Sequence, residues 1–340
     1  MMRKCGGGGI WLSGLVGIFL TGCFKKDEPR PPYQSPGGVN ENVAALGPLY
    51  ARQLWFDLET NTFVKEADRG LWDLAFDSRP GRFGIRLNSS KKMRMARLGH
   101  GSWDALPADP GNPSLDWRYD ESTGHPDSTA FGQIGPGMSV PSEIYLVDLG
   151  FSPEGDALGF AYFQLLEANT QYYKVACALY PDGTADTLTL PRRAEYNFVH
   201  LSFQGGAHYV LAEPPAADWD LVFTQYTTRV YYEGSSTQFE WYSVNGVLIN
   251  PAGTQVARDT VSAFEALDYM DALEASYSSL WDAIGYNWKS YVSSLGAYIV
   301  RAHYVYLIRT AQGHYYKWRF IGFTNSAGER GYPTFQYSQF

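Results

Sequence analysis

The sequence predicts an all-β protein, built mostly of antiparallel sheets with a few short helices. Aromatic residues make up 16% of the chain, with 25 Tyr and 10 Trp, and Val and Thr are also frequent. These residue types are enriched in strands. Short apolar segments alternate with turn residues along most of the chain, which is typical of antiparallel strands that bury one face.

Two motifs that each occur twice predict two related β units in tandem, residues 46–191 and 192–340. The segment Trp72-Asp73-Leu74-Ala75-Phe76 in the first unit returns as Trp219-Asp220-Leu221-Val222-Phe223 in the second. Near the end of each unit, Tyr172-Tyr173-Lys174 returns as Tyr315-Tyr316-Lys317 at a similar offset. A tandem duplication gives this pattern, and the two units would either pack side by side or share a sheet.

A predicted hairpin precedes each Trp-Asp motif. Residues 54–58 and 63–65 flank a polar turn, and residues 198–203 and 207–211 flank Gln204-Gly205-Gly206, whose glycines suit a tight hairpin. Residues 259–284 predict one helix or two short helices, with Ser262 and Glu265 as a capping box. The matching residues 107–141 of the first unit are rich in Gly, Pro and Asp and predict a long loop.

The N-terminus predicts a signal peptide over residues 1–22. A short basic segment precedes an apolar stretch at residues 10–20, which is too short for the ~20 apolar residues of a membrane span. The stretch ends in Leu20-Thr21-Gly22-Cys23, which resembles the bacterial lipobox, so Cys23 is the predicted lipid-attachment residue. The alternative is an ordinary signal peptide with an incidental cysteine.

Residues 23–45 predict a lipidated cysteine followed by a flexible linker. Lys25-Lys26-Asp27-Glu28 resembles the surface-export signal of lipoproteins in one large Gram-negative phylum, although a simple solvated linker has the same composition. Residues 29–38 are rich in Pro, Gly, Ser and Gln and cannot bury a core. We therefore expect an outer-membrane lipoprotein at the cell surface.

Composition and motifs narrow the possible functions. The net charge of −8 and the scattered basic residues argue against binding of nucleic acid. The chain has no Gly-x-Ser-x-Gly, His-Glu-x-x-His, Cys-x-x-Cys or phosphate-loop motif, so we expect no enzyme. Beyond Cys23 the mature chain keeps only Cys177, which lies in an apolar segment and is predicted to be buried without a disulfide.

The second half of the chain resembles the HmuY-type lipoproteins. The resemblance is carried by the repeated Trp-Asp strand and by a closing pair of strands, Tyr306-Leu307-Ile308 followed by Gly313, Tyr315-Tyr316-Lys317 and Phe320. Residues 284–289 and 328–335 continue it, and the first half matches less well. The resemblance implies an all-β haemophore for iron acquisition, which takes haem from a host carrier and passes it to a TonB-dependent receptor.

The resemblance also implies axial haem ligands, His or Met, from the variable middle of the unit. His100 and His125 lie there and are the candidate ligands, with Met95 and Met138 as weaker ones. The alternative is that both histidines are solvent-exposed loop residues without a ligand. No histidine lies between Trp219 and Ala302, so haem is expected at the first unit or between the units.

Two other hypotheses stay open. His200 and His208 have the same parity across a predicted hairpin, so their side chains would share one face and could bind one metal ion. The alternative is a pair of surface histidines without a metal. The scaffold could also serve as an accessory lipoprotein that binds a non-haem ligand or a protein, because fold does not fix function.

Overall fold

The computed structural model describes residues 38–340, apart from residues 102, 104–108, 137–142 and 182–183. The predicted signal peptide and Cys23 lie outside the described residues. Within the described ranges, no helix is both long and apolar enough to cross a membrane. Residues 35–340 group into one compact unit.

Strands dominate this unit, so the prediction of an all-β fold is confirmed. In chain order the strands of the first part are β1 (Asn40–Val43), β2 (Arg52–Asp57), β3 (Thr62–Asp68), β4 (Leu74–Asp77), β5 (Ile85–Leu87), β6 (Arg94–His100), β7 (Glu143–Asp148), β8 (Phe160–Ala168), β9 (Tyr172–Leu179) and β10 (Asp186–Pro191). Those of the second part are β11 (Phe198–Ser202), β12 (His208–Val210), β13 (Leu221–Tyr231), β14 (Phe239–Ile249), β15 (Gln255–Asp259), β16 (Lys289–Val292), β17 (Ala297–Val300), β18 (Val305–Arg309), β19 (Tyr315–Thr324) and β20 (Arg330–Gln339). Short 3₁₀ turns lie at Ser89–Lys91, Pro126–Ser128, Ala216–Asp218 and Ser293–Leu295.

The strands form two five-stranded outer sheets and two four-stranded inner sheets. The first outer sheet has the order β10-β9-β8-β7-β6 and packs on the first inner sheet, β12-β11-β4-β5. The second outer sheet, β1-β20-β19-β18-β15, packs on the second inner sheet, β14-β13-β2-β3. Strands β16 and β17 form a separate hairpin. Every pairing between these strands is antiparallel among the described residues.

Each sandwich has its own apolar core, and strand alternation explains why. Along β20 buried and half-buried side chains alternate, as expected for a strand with one face on a core. Phe335 of this strand stacks on Trp318 of β19 with ring centroids 3.9 Å apart. Cys177 is buried in the other core as a free thiol, as predicted, and burial raises its pKa to about 12.

Both predicted hairpins form, but each pairs with the Trp-Asp strand of the other half. β2, from the first hairpin, pairs with β13 in the register Phe56 opposite Leu221. β11, from the second hairpin, pairs with β4 in the register Leu201 opposite Leu74. The two predicted units therefore share both inner sheets rather than packing side by side. The boundary at residue 191 and the tandem duplication stay predictions.

The Asp of each Trp-Asp motif fixes this exchange. The Asp73 carboxylate accepts a hydrogen bond from the Phe203 N–H (2.7 Å), at the end of β11. The Asp220 carboxylate accepts one from the Leu58 N–H (3.0 Å), just after β2. Each carboxylate therefore caps a backbone N–H of the hairpin from the other half. Both carboxylates are buried, where backbone N–H groups have no water to bind. Each carboxylate therefore supplies the hydrogen-bond partner that a buried N–H group needs.

The charges around the two carboxylates differ. Asp73 forms a buried ion pair with the Lys91 ammonium group. Asp220 has a hydroxyl partner instead, Thr254 at 3.4 Å, and burial raises its pKa to about 6. The first half therefore holds a buried ion pair, whereas the Asp220 carboxyl of the second half has no cationic partner among the described residues.

The helix prediction for residues 259–284 is wrong in extent and in its cap. The helix α1 spans Tyr269–Glu274, and its capping box is formed by Asp268 and Asp271. Ser262 instead lies in a turn, where its N–H donates to the Asp259 carboxylate (2.7 Å). An Asx turn of this kind competes with a helix start at the same residues.

We predict that Asp73→Asn destabilises the protein far more than Asp220→Asn. The first change leaves the Lys91 ammonium buried without its counter-charge, which costs roughly 3–5 kcal/mol. The second keeps an oxygen that accepts from the Leu58 N–H, so a loss of about 1 kcal/mol is expected. Urea unfolding followed by tryptophan fluorescence measures both. Equal losses in the two variants would contradict the difference in charge pairing.

Candidate ligand-binding site

A cleft of about 250 Å³ lies between the β4–β5 turn and residues 124–136, and we call it the arginine cleft. Its basic lining residues are Arg79, Arg82 and Arg86. Three arginines at one cleft are notable in a chain with a net charge of −8.

The three arginines differ in how far their charge is already neutralised. Arg79 is held by Asp77, with its Nε 3.0 Å from the carboxylate Oδ1. Arg86 is turned inward and is partly buried beside Asp120. Arg82 is exposed, and its guanidinium makes no hydrogen bond or ion pair within the described part of the chain. Arg82 is therefore the arginine available for an anionic group.

Arg86 positions the segment that carries His125. Its guanidinium donates to the carbonyl oxygens of Gly124 (2.8 Å) and His125 (3.3 Å). The same group lies 4.2 Å from the ring centroid of Trp281. A planar cation held between carbonyls and an aromatic face has little freedom, so the backbone at His125 is fixed.

Asp120 ties the same segment to β5. Its carboxylate accepts from the Leu87 N–H (2.8 Å) and from the Ala130 N–H (2.7 Å). Burial raises the pKa of Asp120, and the nearby Arg86 charge opposes that rise. One buried carboxylate thus joins both ends of the segment to the first inner sheet.

Trp281, from the second half of the chain, closes the segment from the other side. Its backbone N–H donates to the Thr123 carbonyl (3.0 Å), and its indole lies directly against Gly124. Gly124 has a φ of +75°, and a β-carbon there would overlap the indole. Only glycine suits both the backbone angle and the close approach.

His125 stands exposed at the start of a 3₁₀ turn, with 60% of its side-chain surface accessible. Its Nδ1 accepts a hydrogen bond from the Asp127 N–H (3.3 Å) and lies 3.7 Å from the Asp127 carboxylate Oδ2. The other ring nitrogen, Nε2, makes no hydrogen bond within the described residues. An imidazole with a carboxylate behind it is a common arrangement for a metal ligand.

The other candidate haem ligands lie as follows. The backbone of His100 ends β6, opposite Glu143, and its side chain lies outside the described residues. Arg97 of the same strand donates to the Phe131 carbonyl (3.2 Å), which joins β6 to the segment that carries His125. Met95 is fully buried in the first core, and Met138 lies outside the described residues.

His200 and His208 share one face of the β11–β12 hairpin, as their parity predicts. They lie diagonally, since His200 is opposite Val210 and His208 is opposite Ser202. His200 is buried with its ring 4.9 Å from that of Trp72, whereas His208 is exposed and donates to the Gly206 carbonyl (2.8 Å). No group of three His, Cys, Asp or Glu side chains converges in the described residues, and the shared metal stays a prediction.

Sequence reasoning missed the arginine cleft, although a signal was present. Arg79, Arg82 and Arg86 fall within one short turn and the strand that follows it. Counting basic residues over the whole chain concealed this local cluster. The contact with Trp281 had no local signal, because it joins residues that are far apart in sequence.

The sequence model described as HmuY protein matches residues 49–337, so the chain belongs to the HmuY family. Apo PinO from Porphyromonas gingivitis is 10% identical, with a TM-score of 0.29 over 89% of this chain and 97% of that one. A Bacteroides vulgatus protein named as HmuY-like and haem-binding is 16% identical, with a TM-score of 0.18 over 41% of this chain and 83% of that one.

An apo HmuY analog from Tannerella forsythia is 14% identical, with a TM-score of 0.18 over 46% of this chain and 84% of that one. No curated protein matches the chain. The family assignment therefore rests on the match over residues 49–337.

We predict that Gly124→Ala displaces the segment that carries His125. The alanine would be strained at its positive φ, at a cost of about 1–2 kcal/mol, and its β-carbon would also push Trp281 away. Overpacking of this kind adds roughly 1–3 kcal/mol. Thermal unfolding and tryptophan fluorescence measure the two effects.

Gly234→Ala is the matched control. Gly234 has a φ of +76°, and a β-carbon there meets nothing within 4 Å. It therefore carries the backbone strain without the clash. If both variants lose the same stability and keep the same fluorescence, the contact between Gly124 and Trp281 does not hold the segment.

Proposed function

We propose that this protein is a cell-surface lipoprotein that binds haem at the arginine cleft, with His125 as an axial ligand. Membership of the HmuY family is the observation that carries the proposal. The names of the Bacteroides vulgatus and Tannerella forsythia proteins agree with it. No catalytic step is part of this function.

The environment of His125 suits an axial ligand. Ligation through Nε2 requires the ring proton to move to Nδ1, where it needs an acceptor. The Asp127 carboxylate, 3.7 Å from Nδ1, can accept it after a small rotation that replaces the long hydrogen bond from the Asp127 N–H. A carboxylate in this place fixes the tautomer and the orientation of the ring, so that Nε2 is free to bind iron.

The cleft beside His125 suits the carboxylate edge of haem. Gly124 and Pro126, the neighbours of His125, both line the cleft together with Arg82. Guanidinium groups bind carboxylates with strong, directional hydrogen bonds. The Arg82 guanidinium has no hydrogen-bond or ion-pair partner among the described residues, so it can bind a haem propionate without breaking an existing bond.

His100 is the proposed second ligand. Its strand is joined to the segment that carries His125 through Arg97, which places the end of β6 alongside that segment. In this proposal the protein takes haem from a host carrier and gives it to a TonB-dependent receptor. A ligand set on a strand end and an exposed turn leaves the haem accessible to both.

We expect haemin to give a sharp, red-shifted Soret band on addition to the purified protein. His125→Ala should weaken haem binding and change the band, because iron loses one nitrogen ligand. Asp127→Asn should lower affinity by roughly 10-fold or more through loss of the carboxylate behind the ring. Optical titration measures both effects.

His208→Ala is the matched control, because His208 is an exposed histidine on a different hairpin. It should leave the band and the affinity unchanged. A spectrum that stays that of free haemin, in the oxidised and the reduced state, would exclude haem and favour a non-haem partner for the same scaffold.

We further predict that Cys23→Ser releases the protein from the membrane fraction. The thiol of Cys23 is the proposed attachment point for lipid, and serine does not accept it. Fractionation of cells and mass spectrometry of the N-terminal peptide measure this. Unchanged membrane association without lipid on the peptide would contradict the proposed anchor.

A further inference from the structure

A second cavity, of about 130 Å³, lies between the two inner sheets, and we call it the inter-sheet cavity. Its aromatic lining residues are Trp55, Trp72, Trp219 and Trp281, together with Phe198 and Tyr226. It is separate from His125, which does not line it. The match to the HmuY family assigns no ligand to this cavity.

The cavity lies where the two halves of the chain meet. Ala75 of β4 lines one side and Val222 of β13 lines the other, and these residues hold the same place in the two Trp-Asp motifs. Trp55 pairs with Val222, and His200 pairs with Ala75. The first inner sheet has the smaller side chain in each comparison: Ala75 in place of Val222, and His200 in place of Trp55. These smaller side chains leave room on its side of the cavity.

Two buried side chains of the lining, His200 and Glu213, are uncharged at neutral pH. The His200 ring is neutral, because its Nδ1 accepts a hydrogen bond that a doubly protonated imidazole could not accept. Burial raises the pKa of Glu213 to about 8. Asp120 and Arg86 also line the cavity and lie next to each other, and Glu121 of the lining pairs with Arg229. The interior therefore offers no unpaired formal charge.

Both neutral groups present hydrogen-bond donors. His200 Nδ1 accepts from the Ala212 N–H (3.4 Å), so the ring proton lies on Nε2, which has no partner among the described residues. Glu213 Oε1 accepts from the Phe198 N–H (2.7 Å), and the protonated carboxyl has an O–H to donate. A ligand that places an oxygen or a ring nitrogen between them would satisfy such donors.

The volume limits the ligand to about one ring. Drug-sized ligands occupy sites of roughly 300–1,000 Å³, whereas an apolar cavity of about 150 Å³ holds benzene. The inter-sheet cavity is therefore too small for a porphyrin. Its indole walls suit a flat molecule, because aromatic rings pack edge-on or in offset stacks.

We propose that the inter-sheet cavity binds a small, uncharged aromatic molecule that carries one hydrogen-bond acceptor. Phenol represents this class. Toluene has the same ring without the acceptor, and benzoate has an acceptor with a charge that the apolar interior disfavours. The proposal is independent of haem, so it stands or fails apart from the proposed function.

The test is titration of haem-free protein with phenol, toluene and benzoate, followed by tryptophan fluorescence and calorimetry. Phenol should bind saturably and quench the fluorescence, toluene should bind more weakly, and benzoate should not bind. Absence of saturable phenol binding would overturn the proposal. Benzoate binding as strong as that of phenol would overturn the assignment of an uncharged ligand.

Ala75→Leu places a larger side chain into the cavity and should abolish phenol binding. Ala297→Leu, on the exposed β16–β17 hairpin, is the control and should bind phenol as the unchanged protein does. If Ala75→Leu fails to fold, Val222→Ile adds one carbon at the opposite wall and should lower phenol affinity. Full phenol affinity in a folded Ala75→Leu or Val222→Ile variant would place the bound phenol elsewhere and overturn the proposal.

Discussion

The fold depends on two buried carboxylates, each of which holds a strand of one half against the hairpin of the other. Asp73 accepts the Phe203 N–H and Asp220 accepts the Leu58 N–H, so neither inner sheet is complete within one half of the chain. Two sandwiches linked in this way share their inner sheets and cannot separate without exposing buried backbone groups. Loss of the Asp73 carboxylate costs more stability than loss of Asp220, because it leaves the buried Lys91 ammonium without a counter-charge.

The same exchange explains how the candidate site is assembled. The segment that carries His125 belongs to the first half, and Asp120 and Arg86 hold it on the first inner sheet. Trp281, from the second half, then packs on Gly124 and closes it. The exposed imidazole therefore stands on a rigid support built from both halves, which is what a ligand site needs for constant geometry.

Much of the fold follows from local patterns in the sequence. The hairpins and the Trp-Asp strands are set by alternation and by turn residues, whereas the backbone groups that Asp73 and Asp220 cap come from the other half of the chain. The helix start was misplaced because Asp259 offers the Ser262 N–H a turn, while Asp268 offers a better cap a few residues later. The arginine cleft and the burial of His200 depend on which strands become neighbours, and no local pattern reports that.

The central claim is that His125 is bound to iron when the protein holds haem. Electron paramagnetic resonance of the ferric complex tests it most directly, because the spin state reports the axial ligands. The account predicts a six-coordinate, low-spin signal in the unchanged protein and a shift towards high spin in His125→Ala. A spectrum of His125→Ala identical to that of the unchanged protein would contradict the claim.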